Sequence, residues 1–116
     1  MQLLLRDNIP FVSIFVIYKD TSIEIPSVLV DTGSATTILS ADLVQIIQIT
    51  PSPEDSLYTI RGVGGSEVVF SRKVDYLKLG EYMDYGFEIN GILGMDFLVQ
   101  AGTIINLRDM KIEFNR

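Results

Sequence analysis

Val28-Leu29-Val30-Asp31-Thr32-Gly33-Ser34-Ala35-Thr36-Thr37-Ile38-Leu39-Ser40 decides the reading, because it sets one ionisable side chain at the end of an apolar run. The run reads as a buried strand. Isolated buried charge costs roughly several kcal/mol, so a carboxylate carried there must be paired, hydrogen-bonded or protonated. Thr32 and Gly33 suggest a tight turn, with backbone freedom at Gly33 and a hydroxyl at Thr32 that can brace a neighbouring backbone. Two readings follow: a strand-end turn in which Asp31 caps its own backbone, or a turn that presents Asp31 for chemistry.

Upstream, Phe11 to Tyr18 is rich in β-branched and aromatic residues and reads as a strand, with Arg6 to Pro10 separating it from a short apolar piece, Gln2 to Leu5. Lys19 to Ser22 is a polar turn, and Ile23 to Val30 a second strand with Pro26 at an edge or bulge. This hairpin delivers Asp31. Downstream, Ser40 is placed to cap a short helix over Ala41 to Ile47, with Asp42 in its first turn.

Pro51 to Asp55 has the composition of a surface loop. Leu57 to Arg61 and Glu67 to Arg72 flank Gly62-Val63-Gly64-Gly65-Ser66 and read as a β-hairpin. As a phosphate cradle this glycine cluster fails, matching neither the dinucleotide fingerprint nor the P-loop, and no helix follows it. Val74 to Leu79 continues the sheet, Gly80 to Asp84 turns, and Tyr85 to Ile89 returns toward an Asn90-Gly91 turn signal. Met95 to Ala101 makes two helical turns ended by Gly102, and Thr103 to Leu107 with Met110 to Phe114 forms a last hairpin. Gly94 is placed to let the backbone pass close to the Asp31 turn.

With these blocks in view, the chain resembles the retroviral-type aspartic proteases, the retropepsins. Leu29 to Ser34 followed by Thr37 to Ser40 is similar to that family's active-site motif, and Ile92-Leu93-Gly94-Met95-Asp96-Phe97-Leu98 to its hydrophobic-hydrophobic-Gly motif. The blocks stand in the family's order and near its spacing. The resemblance implies an all-β retropepsin-like fold, one lobe per chain, with a closed barrel-like sheet, a flap hairpin and one short C-terminal helix. The closing strand Met110 to Phe114 lies beyond where retroviral members typically stop.

Composition agrees on its own terms. At 116 residues, 47% apolar, residues 1–116 fit one domain with one core. The net charge of −6, with nine scattered Lys and Arg, argues against nucleic acid as a partner. The chain has no His and no Cys, which removes Ser-His-Asp and Cys-His catalysis, imidazole or thiolate metal sites and disulfides. Neither a metal nor another cofactor is expected. No signal peptide and no run of roughly 18 apolar residues is visible, so a soluble chain is expected and the cytoplasm is favoured; the absence of Cys fits a reducing compartment but excludes none.

By resemblance, the chemistry is peptide hydrolysis and needs two carboxylates, one to activate water and one to protonate the scissile carbonyl. The chain offers one Asp-Thr-Gly. A homodimer is therefore implied, with an Asp31 from each copy meeting on a twofold axis. Asp31, Thr32 and Gly33 would be the catalytic loop. Ser34, Ala35, Gly62, Val63, Gly64, Gly65 and Ile92 would contact substrate, the glycines from a flap above it. Ser34 replaces the retroviral Ala, and a hydroxyl donating to Asp31 would favour the ionised form. Ala35 and Met95 stand where retroviral enzymes carry an acidic residue and an Arg that pair, so apolar contact is expected instead. The rival from another class is a non-catalytic dimer that binds extended peptide or only joins chains.

Overall fold

The computed structural model describes residues 2–62, 65–80 and 88–114. Among these residues ten strands and two short helices follow one another: β1 (Leu4–Arg6), β2 (Ile9–Tyr18), β3 (Thr21–Val30), β4 (Ile38–Leu39), α1 (Ala41–Val44), β5 (Leu57–Gly62), β6 (Gly65–Phe70), β7 (Tyr76–Gly80), β8 (Gly91–Leu93), α2 (Met95–Gln100), β9 (Thr103–Asn106) and β10 (Lys111–Phe114). A 3-10 turn, Gln45–Ile47, extends α1. Ser40 stands at the α1 N-cap but makes no side-chain cap; its carbonyl accepts from the Val44 amide instead.

β2 and β3 form the frame. Asp7, Asn8, Lys19 and Asp20 all have positive φ, so two-residue turns join β1 to β2 and β2 to β3. Such paired left-handed residues match the twist of the flanking strands, which lets both strands run longer than the polar residues around the turns suggest. Between Val12↔Val28 and Ile14↔Ile25 the register shifts: Pro26 and Ser27 together oppose Ser13. Pro26 thus sits in a bulge, where its missing amide is harmless. Asn90 serves that bulge, its side-chain amide donating to the Pro26 carbonyl at 2.8 Å and its backbone amide to the Ser27 carbonyl at 3.0 Å. Asn90-Gly91 is therefore not a turn. Gly91 opens β8, where a Cβ would lie 2.6 Å from the Ile38 carbonyl oxygen.

The main sheet has the order β1-β2-β3-β8-β4, with β7 sharing the β1 edge of β2. β8 runs parallel to β3 and antiparallel to β4. Among the described residues the sheet does not close into a barrel. β4 ends it after two residues on one side, β1 and β7 divide the other side, and β5–β6 and β9–β10 each pair only within themselves. Of the expected Tyr85 to Ile89 strand, 85–87 lie outside the described residues and Glu88 and Ile89 are not in a strand. Val12, Ile14, Val16, Ile25, Val28 and Val30 form the middle of the core, capped by Val44, Ile47, Leu93, Leu98 and Ile112. The alternation along β2 and β3 puts these side chains on one face. No helix among the described residues is long and apolar enough to cross a membrane.

Candidate active site

β3 carries Val28 and Val30 into the core and stops where its partner does. The Asp31 amide donates to the carbonyl of Leu93, the last residue of β8, at 3.0 Å. From there the chain turns. The Gly33 amide donates to Asp31 Oδ1 at 2.9 Å and the Ser34 amide to the Asp31 carbonyl at 3.2 Å. Asp31 does cap its own turn, as the simpler reading requires. That cap occupies one carboxylate oxygen; Oδ2 accepts no hydrogen bond among the described residues, and the side chain is only half-buried. A carboxylate accepts about four hydrogen bonds, so ample capacity remains for a water or a second acid.

Ser34 does not donate to Asp31. Its hydroxyl donates to the Thr36 carbonyl at 2.8 Å, which closes the far side of the same loop. This bond stands in place of the expected one from Ser34 to Asp31. Ala35 is exposed and Met95 is 37% exposed. Backbone links the loop to α2: the Met95 amide donates to the Ser34 carbonyl at 2.7 Å and the Asp96 amide to the Ala35 carbonyl at 3.2 Å. Chains can come this close only because residue 94 is Gly, where a Cβ would stand 2.6 Å from both the carbonyl carbon and the oxygen of Thr36.

A second set of bonds, which the motif reading passed over, reinforces this approach. Asp96 accepts the Thr37 amide at 3.0 Å, the Thr37 hydroxyl at 2.7 Å and the Phe97 amide at 2.8 Å. The Thr37 hydroxyl in turn accepts from the Gly94 amide at 3.0 Å. Partial burial pushes the Asp96 carboxyl up, but the Thr37 amide and hydroxyl and the Phe97 amide outweigh it and hold the group below its ordinary value. A Thr six residues after Asp31 and an Asp in the first turn of α2 were the signals for it in the chain.

The structure therefore brings Asp31, Thr32, Gly33, Ser34 and Ala35 into one turn, backed by Ile92, which pairs with Leu29 and Ile38. Gly62 and Gly65 pair with each other at the end of β5–β6. Val63 and Gly64 lie outside the described residues. Thr32 opens on a shallow apolar depression lined by Met95, Leu98, Val99, Gly102, Thr103 and Ile105.

A family model described as aspartyl protease matches residues 20–97, and with two-thirds of the chain covered, including the Asp31 turn and the Gly94 approach, the protein belongs to the aspartyl protease family, of the retropepsin-like type. No curated protein matches the chain.

Proposed function

We propose that the protein is a homodimeric aspartic endopeptidase whose active centre is assembled from the Asp31 turns of two copies. The observation that carries this is the turn itself. It holds one half-buried acid at the mouth of a buried strand, braced on the Leu93 carbonyl, the Gly33 amide and the α2 approach, within a chain of the aspartyl protease family. A single carboxylate cannot act as acid and base in the same step, and the turn supplies one per chain. Exposed Val99 and Met95 beside Thr32 offer apolar surface next to the turn for a second copy.

In the dimer the two carboxylates stand about 3 Å apart and share one proton, as aspartic-protease pairs in general do. The ionised member takes a proton from water as its oxygen attacks the scissile carbonyl carbon. The protonated member gives its proton to the carbonyl oxygen, and no bond to the enzyme forms. Collapse of the resulting diol breaks the C–N bond as the acid that took the water proton gives it to the leaving nitrogen and the other carboxylate takes a proton from a diol hydroxyl, which restores the shared proton. Thr32 braces the partner turn, while Gly33, Ser34, Ala35 and Ile92 line the substrate. The β5–β6 hairpin lies over the extended peptide as a flap, and the Gly62-Val63-Gly64-Gly65 stretch of the sequence contacts that peptide.

Peptide cleavage by wild type and Asp31→Asn tests this, with a loss of roughly a hundredfold or more expected for the variant. A statine-type inhibitor that binds wild type without any turnover would favour the non-catalytic peptide-binding module instead.

A further inference from the structure

Among the described residues the β5–β6 hairpin forms a two-stranded sheet of its own, with no sheet hydrogen bonds there to fix its direction relative to the main sheet. The Ser71 amide donates to the Ser56 carbonyl at 3.1 Å and closes its base. Beside that closure sits the ion pair found among the described residues, Arg72 with Asp55. Arg72 Nε donates to Asp55 Oδ1 at 3.1 Å and Nη2 to Asp55 Oδ2 at 2.7 Å. The same guanidinium reaches the Thr50 carbonyl at 2.9 Å and Tyr18 Oη at 3.3 Å. Its carbon lies 5.9 Å from the ring centres of both Tyr18 and Phe70. Asp55 is fixed further by the Ser52 amide at 2.7 Å.

Position gives this cluster its meaning. Asp55 stands just before β5 and Arg72 just after β6, so the pair joins the two chain ends of the hairpin. Tyr18 ends β2 and packs on the core, and Thr50 follows the α1 region, so the other two bonds join those ends to the body. Surface ion pairs contribute little as a rule, but the Asp55 side chain is 8% exposed and that of Arg72 is 20% exposed, and the contact is a planar two-point fork. The hydrogen bonds from Arg72 hold the Asp55 carboxyl below its usual range against the opposing effect of burial, and Arg72 itself is pushed up by Asp55.

We propose that Arg72 is a positioning residue that sets the angle of the β5–β6 hairpin to the body, and through it the binding of peptide at the Asp31 site. The second half rests on the protease reading above; the first does not. Lys can substitute only in part, because an ammonium lacks the fork that holds Asp55 while it reaches Thr50 and Tyr18.

The test measures amide hydrogen exchange and steady-state peptide cleavage on the full chain for wild type, Arg72→Ala, Arg72→Lys and Tyr18→Phe. In Arg72→Ala, exchange across β5 and β6 should speed up about tenfold while β2 and β3 stay within about twofold. The same variant should lose kcat/KM mainly through a higher KM, with kcat within about twofold. Arg72→Lys should fall between, and Tyr18→Phe, which deletes one hydroxyl and keeps the ring, should move hairpin exchange the same way by less. Unchanged hairpin exchange, or acceleration shared equally by β2 and β3, would overturn the proposal. So would an unchanged KM in a cleaving enzyme. If wild type cleaves nothing, the protease reading fails, and hairpin exchange alone decides the clamp.

Discussion

At Asp31 the local and the chemical readings turn out to be compatible. The carboxylate caps the Gly33 amide through Oδ1 and leaves Oδ2 for other work. Capping fixes the rotamer, and a fixed acid is what pairwise proton sharing requires. Ser34 shows how a neighbouring hydroxyl can be misassigned from sequence. A hydroxyl in a tight turn can donate to a side chain or to the backbone, and this one takes the Thr36 carbonyl. Ser34→Ala should therefore cost about 1 kcal/mol of stability, read from a denaturant midpoint, and leave the acid limb of the pH–rate profile in place. An acid limb displaced upward would restore the direct bond to Asp31.

At the scale of elements, the turn is held from outside by α2. Thr37 donates twice to Asp96 and accepts from the Gly94 amide, across the close approach that Gly94 permits. Because the folded-state pKa of Asp96 is depressed, its stabilising contribution is fully present above the unfolded value of about 3.9 and is lost as pH falls through the folded value. Asp55, depressed chiefly by Arg72, acts with the same sign. Acid unfolding followed by circular dichroism should accordingly be less steep below about pH 4 in Asp96→Asn than in wild type, from a lower starting stability at neutral pH. An identical acid slope would show that the Thr37 bonds do not favour the ionised form. The C-terminal hairpin is a second element with a consequence. Ile112 is wholly buried, so β10 belongs to the core, whereas Ile104 and Leu107 are 47% and 62% exposed. If this hairpin closes the dimer, Ile104→Lys with Leu107→Lys should yield folded monomers in sedimentation. A dimer that survives both changes would assign the interface elsewhere.

For the whole molecule, what was legible in the chain is what local chemistry determines. The β-branched run of β2, the Asp31 turn, the Gly94 approach and α2 with its Gly102 end all announce themselves in neighbouring residues. The rest depended on partners far along the chain. Asn90 reads as a turn residue until the Pro26–Ser27 bulge, 64 positions from its side chain at Pro26, presents carbonyls for it. Barrel closure was an expectation of resemblance alone, and strand pairing decided against it among the described residues. Asp55 and Arg72 are unremarkable charges in sequence, and only the return of the chain at the hairpin base sets them face to face.

The central claim is that each chain holds half of an active centre, and subunit mixing tests it most directly. Wild type at fixed concentration is co-refolded with increasing Asp31→Asn chain, and peptide cleavage is measured. The account predicts that the rate falls toward zero as mixed dimers, each with one acid, replace the wild-type pairs. A rate that stays constant as the variant is added in excess would mean that each chain cleaves peptide alone, and would contradict it.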